Sequence, residues 1–380
     1  MSRHYLDFAS TVPLRPEVRR AMDECADRGL FADPSRVHTE GRMARVALED
    51  ARDQVAGFFG VRPRQVVFTS GGTESVNSAV FGVAAAGTGP LALSPVEHSS
   101  VRDASARAGP CVTIPADGLG RIEPGAVADA IGRAREEHGR PPVLVHCQWA
   151  NHEVGTVQPV DSVAEVCRRA GVRLHVDAAA AAGHVHLDLG ATDADLTSVS
   201  AHKLGGPPGI GALIVRRGTR IEPFVVGGAQ ERARRAGMEN LPGAVGFAAA
   251  AAALGATGAI ESEGRRARAR TDRLLEGATS VPGVVQFGDP VDRLPHLVCI
   301  GVEGVEAEPV LLGLDQAGIA VHSGSSCSSE TLEPSPVLEA MGADAERSLR
   351  LSVGWSTTDE DVEAFAVAFG PVVEGLRALR

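Results

Sequence analysis

The chain has 380 residues, enough for two domains, and its 44% hydrophobic and 22% charged residues are those of an ordinary globular protein. Its formal net charge of −11 provides no basic surplus for neutralising phosphates, which argues against direct nucleic-acid binding. The longest apolar run, residues 247–254, is too short to cross a membrane, no signal peptide opens the sequence, and the six cysteines contain no CxxC pair. We therefore expect a cytoplasmic protein with reduced cysteines and no membrane contact.

The first predicted elements are an extended arm over residues 1–15, a helix that begins at Pro16 and a second helix over 39–59. From about residue 60, short apolar runs alternate with helical stretches such as Glu74–Ala86 and Asp161–Ala170. The predicted strands are Gln65–Thr69, Leu91–Leu93, Val112–Ile114, Val143–Cys147, Arg173–Val176, Leu196–Val199 and Gly211–Val215. This alternation predicts an α/β fold with a mostly parallel central sheet sandwiched by helices, in which ligands bind at the carboxyl ends of the strands.

After about residue 255 the pattern changes. A long arginine-rich helix over 261–275 precedes short strands near 284–287, 296–302 and 349–353, with further helices over 308–317 and 359–368. We interpret residues 16–254 as a large domain. Residues 1–15 and 255–380 are predicted to form a smaller α+β domain.

A glycine-rich turn follows the first predicted strand of the sheet, in Thr69-Ser70-Gly71-Gly72-Thr73-Glu74-Ser75. Free N–H groups at the start of a helix, together with its dipole, favour an anion such as phosphate, and glycines let the backbone approach closely. We select Gly72 and Thr73 as candidates for this role. The spacing matches neither a P-loop nor GxGxxG, so an ordinary strand-to-helix turn is the alternative.

Three polar residues follow later strands. Asp177 ends an apolar strand, where a carboxylate is costly to bury unless it has a partner such as a protonated pyridine nitrogen; a helix cap is the alternative. His98 could stack on a flat ring or move protons, or be an ordinary loop histidine. Asn151 offers a donor and an acceptor for a ring oxygen or a substrate carboxylate, or forms a turn.

Lys203 is the only lysine in the chain, and the other 36 of the 37 lysine and arginine residues are arginine. Arginine can replace lysine wherever only charge is needed, but it cannot supply a neutral amine to attack a carbonyl. Lys203 lies in Ser200-Ala201-His202-Lys203, and these neighbours favour a Schiff-base lysine over a leftover surface cation.

Two residues in the last third of the chain complete the set. Cys327 lies in the polar segment Ser325-Ser326-Cys327-Ser328, which suits an exposed, ionisable thiol, whereas the other five cysteines have apolar neighbours and are expected in the core. Arg350 lies inside an apolar strand and needs an anion, either a substrate carboxylate or an internal salt bridge. The histidines and acids show no metal-ligand spacing.

Together these motifs resemble the cysteine desulfurases of the NifS/IscS type, class V of the aminotransferase-fold enzymes. The resemblance runs nearly end to end and rests on Tyr5–Pro13, Ser70–Ser75, Glu97-His98, Asn151–Pro159, His175–Asp177, Ser200–Lys203, Gly209–Gly211, Ser323–Ser329 and Leu349–Ser352. Residues 330–334 resemble the long loop of the IscS-like subgroup. The short length is also similar to that of the DndA-like desulfurases of DNA phosphorothioation systems.

The resemblance implies a pyridoxal 5′-phosphate (PLP) enzyme of fold type I, the aspartate aminotransferase-like fold, that dimerises with itself. It implies that L-cysteine becomes L-alanine while Cys327 takes the sulfur as a persulfide and passes it to an Fe–S or sulfur-modification acceptor protein. By the same resemblance Lys203 holds PLP and moves the Cα proton, Asp177 pairs with the pyridine nitrogen, and His98 stacks on the ring. The remaining assignments are Gly72, Thr73, Ser200 and His202 to the phosphate, Asn151 to the ring oxygen or substrate carboxylate, and Arg350 to that carboxylate.

Three positions depart from the family pattern. Ala180 stands where the family usually has a Gln that bonds the PLP ring oxygen, and Met238 stands where a Thr usually reaches the phosphate of the neighbouring subunit. Phe8 stands where Asn is common. Each of the first two departures removes a hydrogen bond to a charged group, worth about 1.5–3 kcal/mol. We therefore expect weaker PLP retention or replacement contacts from elsewhere.

Two other functions are compatible with these residues. A selenocysteine lyase or another β-eliminating PLP enzyme would need no protein thiol. The departures would also fit a weakly active scaffold for sulfur relay, although the presence of Lys203, Asp177, His98, Cys327 and Arg350 argues against it.

Overall fold

The computed structural model describes residues 3–323 and 334–379. The helices are α1 (Pro16–Asp27), α2 (Thr39–Phe58), α3 (Gly72–Ala86), α4 (Ser99–Ala108), α5 (Pro124–His138), α6 (Val160–Ala170), α7 (Gln230–Ala233), α8 (Leu241–Gly255), α9 (Ala259–Thr279), α10 (Ala307–Gln316), α11 (Pro336–Ala340) and α12 (Asp359–Arg377). The strands are β1 (His4–Tyr5), β2 (Val66–Thr69), β3 (Leu91–Leu93), β4 (Cys111–Thr113), β5 (Leu144–Gln148), β6 (Arg173–Asp177), β7 (Leu196–Ser200), β8 (Gly211–Val215), β9 (Val284–Phe287), β10 (Leu297–Val302), β11 (Ile319–Ala320), β12 (His322–Ser323) and β13 (Ser348–Ser352).

A seven-stranded sheet dominates the first two thirds of the chain, in the order β2-β8-β7-β6-β5-β3-β4. Neighbours from β7 to β4 are parallel, whereas β8 runs antiparallel to β7 and to β2. Apolar residues of α3 and α4 cover one face, and those of α2, α5, α6 and α8 cover the other. The predicted mostly parallel sheet sandwiched by helices is therefore confirmed.

One glycine of this sheet allows a close approach of two backbone segments. A Cβ atom at Gly211 would lie 2.8 Å from the Cα atom of Gly71 and 2.6 Å from the carbonyl oxygen of Val199. Any side chain at Gly211 would therefore push the turn before α3 away from the sheet.

A second, four-stranded antiparallel sheet follows in the order β12-β13-β10-β9. Its residues share a separate apolar cluster with α9, α10 and α12, and Leu6 belongs to that cluster. The predicted change of pattern after residue 255 is thus present in the structure. We propose 16–254 as one domain and 1–15 with 255–380 as the other, because the second cluster draws on both ends of the chain.

Residues 4–15 form the predicted extended arm, which connects the two sheets. β1 pairs in parallel with β11, and Asp7 forms an isolated bridge with Ser352. Further along the arm, the Val12 N–H donates to the His202 carbonyl oxygen at 3.1 Å. The arm therefore passes directly over the segment that contains the single lysine.

No single helix in the described ranges is long and apolar enough to cross a membrane. The helices α8 and α9 meet the length and composition requirement only as a pair bent by 80°.

Candidate active site

A cavity of about 290 Å³ lies at the carboxyl ends of the parallel strands. Eight of the ten residues selected from the sequence line it: Gly72, Thr73, His98, Asp177, Ser200, His202, Lys203 and Arg350. Of the other two, Asn151 lies outside the cavity lining and Cys327 lies outside the described residues. The clustering follows from the topology, because parallel strands bring the residues that follow them to one edge of the sheet.

One end of the cavity is an anion cradle formed by the first turn of α3. The N–H groups of Gly72 and Thr73 belong to this turn, where backbone donors have no acceptor within the helix. Ser200 lies next to this turn, since a Cβ atom added at Gly72 would be 3.5 Å from the Cβ atom of Ser200. Burial and Lys203 lower the pKa of His202, which also lines the cavity, to about 4. The donors and the helix dipole suit a phosphate group.

Lys203 ends a short 3₁₀ turn over Ala201–Lys203, and its amine points at the N-terminal arm. Nζ donates to the carbonyl oxygens of Ala9 at 2.5 Å and Ser10 at 3.0 Å. From the other side, the Lys203 carbonyl oxygen accepts a hydrogen bond from His184 Nε2 at 3.1 Å. The amine is thus held at the cavity wall by two carbonyl acceptors, and it must leave them to act as a nucleophile.

Asp177 is the last residue of β6, and its carboxyl group lies in the cavity wall. Burial raises the pKa of this carboxyl, and the positive charges of His98 and Lys203 oppose the rise. Oδ1 also accepts the Ala179 N–H at 3.0 Å, which is the turn-capping role considered as the alternative. A cation inside the cavity would complete the partners of this buried acid.

Two imidazole rings meet in the cavity wall. His98 precedes α4, and its Nδ1 accepts the Ser100 N–H at 3.1 Å, so a neutral ring carries its hydrogen on Nε2. The ring centroids of His98 and His152 are 4.9 Å apart in an edge-to-face arrangement. His152 was not selected from the sequence, and its position beside Asn151 was the only signal that could have found it.

Glu153 connects this wall with the start of α11, to which it is hydrogen-bonded. Its Oε2 accepts a hydrogen bond from Ser335 Oγ at 2.5 Å, and its Oε1 lies 3.4 Å from His152 Nε2. Burial raises the pKa of Glu153 to about 7. Ser335 caps α11 just after residues 324–333, which contain Cys327.

Arg350 is almost fully buried in β13, and its guanidinium reaches the cavity. It donates to the His152 carbonyl oxygen at 3.0 Å, to Asp7 Oδ1 at 3.0 Å and to Ser10 Oγ at 2.6 Å. The internal salt bridge considered as the alternative is therefore present, and the charge still faces the cavity.

Asn151 is fully buried and its amide holds the loop after β5. Its Nδ2 donates to the Val96 carbonyl oxygen at 3.1 Å, and its Oδ1 accepts the N–H groups of Glu153 and Val154 at 2.9 and 2.8 Å. The described bonds are structural, and the predicted contact with a ring oxygen or a substrate carboxylate stays a prediction.

The three departures lie in different environments. Ala180 lines the cavity, whereas Met238 is 58% exposed and does not line it. Phe8 is buried and packs against Gly354, where an added Cβ atom would come within 2.1 Å of the ring. Only the position of Ala180 therefore changes the described cavity wall directly.

The segment before Met238 contains strained backbone. Glu231, Arg232 and Ala233 have φ values of 47°, 59° and 60°, in the left-handed region that non-glycine residues rarely adopt. Buried Glu231 accepts two hydrogen bonds from Arg52 at 2.7 and 2.8 Å and one from the Phe68 N–H at 2.9 Å. This ion pair holds the segment in a backbone conformation that would otherwise be unfavourable.

One expectation about cysteines was wrong. Cys25, Cys147, Cys167 and Cys299 are buried as expected, but Cys111 is exposed. Cys111 starts β4, the edge strand of the large sheet, and there the side chain faces outward. Within the described ranges, no three His, Cys, Asp or Glu side chains are placed to hold a metal ion.

Comparison with known proteins gives matches over nearly the whole chain. The family model described as aminotransferase class-V matches residues 4–365. The cysteine desulfurase IscS of Methanosarcina thermophila is 37% identical and covers 98% of this chain and 92% of its own length. A cysteine desulfurase of Cereibacter sphaeroides is 39% identical, with 100% of this chain and 98% of its own length covered.

Solved structures agree with these sequence matches. A NifS-like protein superposes with a TM-score of 0.89 at 27% identity, covering 98% of this chain and 100% of its own. A structure described as SspA in complex with cysteine has a TM-score of 0.78 at 26% identity, covering 92% and 99% of the two chains.

Proposed function

The chain belongs to the class-V aminotransferase family and is a PLP-dependent cysteine desulfurase, and on this premise we propose that it transfers the sulfur of L-cysteine to Cys327 as a persulfide. The observation that supports the proposal best is the single cavity lined by an anion cradle, a buried acid and the one lysine. These are the partners that the phosphate, the pyridine nitrogen and the aldehyde of PLP require.

The proposed roles follow from the position of each residue. Bound PLP supplies an electron sink that weakens the bonds at the substrate Cα. Lys203 holds the cofactor and moves the Cα proton, and Asp177 keeps the ring nitrogen protonated. His98 stacks on the ring, and Arg350 binds the substrate carboxylate. The cradle of Gly72 and Thr73 with Ser200 and His202 holds the phosphate, and Asn151 assists at the ring oxygen or carboxylate.

Cys327 supplies the nucleophile in this proposal. Its thiolate attacks the sulfur of cysteine, so that an S–S bond forms while the C–S bond breaks. The electron pair of the broken bond stays with carbon, which gains a proton to give alanine.

Delivery of the sulfur requires an acceptor protein, and both Fe–S assembly and DNA phosphorothioation begin with the same persulfide. The net charge of −11 favours a protein partner even if the final target is DNA. We also propose a cytoplasmic homodimer. Exposed apolar side chains at Val37, Val46 and Met238 support the dimer, being 86%, 60% and 58% accessible.

The experiment that tests the proposal replaces Cys327 with serine. The visible absorbance of bound PLP should persist, whereas sulfide release from cysteine should fall to background. Cys111→Ser is the matched control, because it removes an exposed thiol far from the sequence motifs and should leave turnover unchanged. Unchanged turnover in Cys327→Ser would refute the persulfide role, and retained activity on selenocysteine alone would indicate a lyase.

A further inference from the structure

Gln148 is a buried polar residue of the cavity wall to which no role has been given so far. It is the last residue of β5, is 3% exposed, and lines the cavity together with Asp177, Ala180 and Lys203. A primary amide in such a position offers both donor and acceptor atoms to a ligand.

The register of the sheet places Gln148 beside the proposed partner of the ring nitrogen. Gln148 and Asp177 are paired residues of the parallel strands β5 and β6, so their side chains project to the same side of the sheet. Ala180 follows Asp177 by three residues in the adjoining turn, and its methyl group carries no hydrogen-bonding atom. Gln148 therefore places a primary amide one strand away from the position at which the family usually has its glutamine amide.

The Gln148 side chain is held in a fixed orientation. Its Nε2 donates to the Val96 carbonyl oxygen at 2.9 Å, and its backbone N–H donates to Glu97 Oε1 at 2.8 Å. Within the described residues the side-chain amide of Gln148 forms no other hydrogen bond, so its second N–H and Oε1 are available to a ligand in the cavity. An amide fixed in this way loses little conformational entropy when it binds a ligand.

We propose that Gln148 binds the phenolic ring oxygen of PLP in place of the missing glutamine at position 180. That oxygen is carried by the second carbon from the ring nitrogen, so a donor next to Asp177 is suitably located. The proposal rests on the proposed role of Asp177, and it explains how the chain keeps its cofactor although Ala180 supplies no hydrogen bond.

The test compares PLP dissociation constants of variants prepared without cofactor and titrated with PLP, followed by visible absorbance. Gln148→Met keeps the side-chain volume and removes the amide, and it should raise the dissociation constant about 10- to 100-fold. Adding Ala180→Gln to that variant should return the constant to within about threefold of the parent, because the amide is restored on the adjoining turn.

Gln158→Met is the matched control. Gln158 is also buried, and its amide bonds Ile122 N–H and the Gly120 carbonyl oxygen at 2.8 and 2.7 Å, outside the cavity. It should lower the melting temperature of the cofactor-free protein and leave PLP affinity unchanged.

Two results would overturn the proposal. The first is an unchanged dissociation constant in Gln148→Met. The second is a raised dissociation constant that Ala180→Gln does not lower again. That result would mean that Gln148 only maintains the structure at the end of β5. Both differ from a failure of the proposed function, which the sulfide assay of Cys327→Ser measures while PLP stays bound.

Discussion

Replacing Glu97 with glutamine should raise the free energy of unfolding relative to the parent. This gain should be larger at neutral pH than at acidic pH. Glu97 is completely buried beneath the cavity, where Oε1 accepts the Gln148 N–H and Oε2 has no partner among the described residues. Burial and, secondly, the charge of Asp177 raise the pKa of Glu97 from 4.5 to about 8. The folded protein therefore keeps a proton that the unfolded chain releases.

The sign of the effect follows from proton binding. Between pH 4.5 and about 8 the folded state binds more protons at Glu97 than the unfolded state, so the free energy of unfolding falls as the pH rises. The loss approaches about 5 kcal/mol above pH 8, at about 1.36 kcal/mol for each pKa unit, and roughly half of it falls between pH 5 and pH 7. Glu97→Gln removes this loss, because an amide does not titrate.

The assay is urea unfolding of the cofactor-free proteins at pH 5, 6, 7 and 8, followed by the fluorescence of Trp149 and Trp355. The difference between variant and parent should grow with pH in favour of the variant. Glu136→Gln, on the exposed surface of α5, is the control and should give a difference independent of pH. A flat difference for Glu97→Gln, or one that grows toward acidic pH, would refute the reasoning.

Three further results are expected. Glu231→Ala should cost about 3–5 kcal/mol in thermal unfolding, because it removes both hydrogen-bonded oxygens from the buried Arg52 guanidinium and leaves it only the 3.4 Å contact with Glu49; a double change of Arg52 and Glu231 to apolar residues should cost less than the sum of the single changes. Arg350→Lys should raise the KM for cysteine about tenfold or more, since an ammonium cannot form the two-pronged contact with a carboxylate; an unchanged KM in steady-state assays would exclude the carboxylate role. Lys203→Ala should yield no covalent cofactor adduct after borohydride reduction, and sulfur release at the parent rate would contradict the assigned chemistry.

The sequence predicted the layers of the fold well, because short β-branched runs separated by helices have few stable arrangements. It did not predict that β8 runs against its neighbours, since a strand buried on both faces carries no mark of its direction. Most candidate site residues were found because they follow parallel strands. Gln148 was missed because the predicted strand ended at Cys147, one residue before the observed end of β5.

Contacts across long sequence separations were also beyond prediction. Arg350 was expected to need an anion, but the identity of its partner Asp7 follows only from the way the arm crosses both sheets. His152 was likewise inconspicuous, because its ring faces His98 only after β3 and β5 have been placed side by side.

The path of the arm has a consequence for biosynthesis. Residues 4–15 are translated more than 300 residues before their partners in β11 and at Ser352. Until then the cavity lacks Arg350, and Ala9 and Ser10 are not held at its wall by the pairing of the arm with β11. Nascent chains stalled before residue 319 should therefore not retain cofactor.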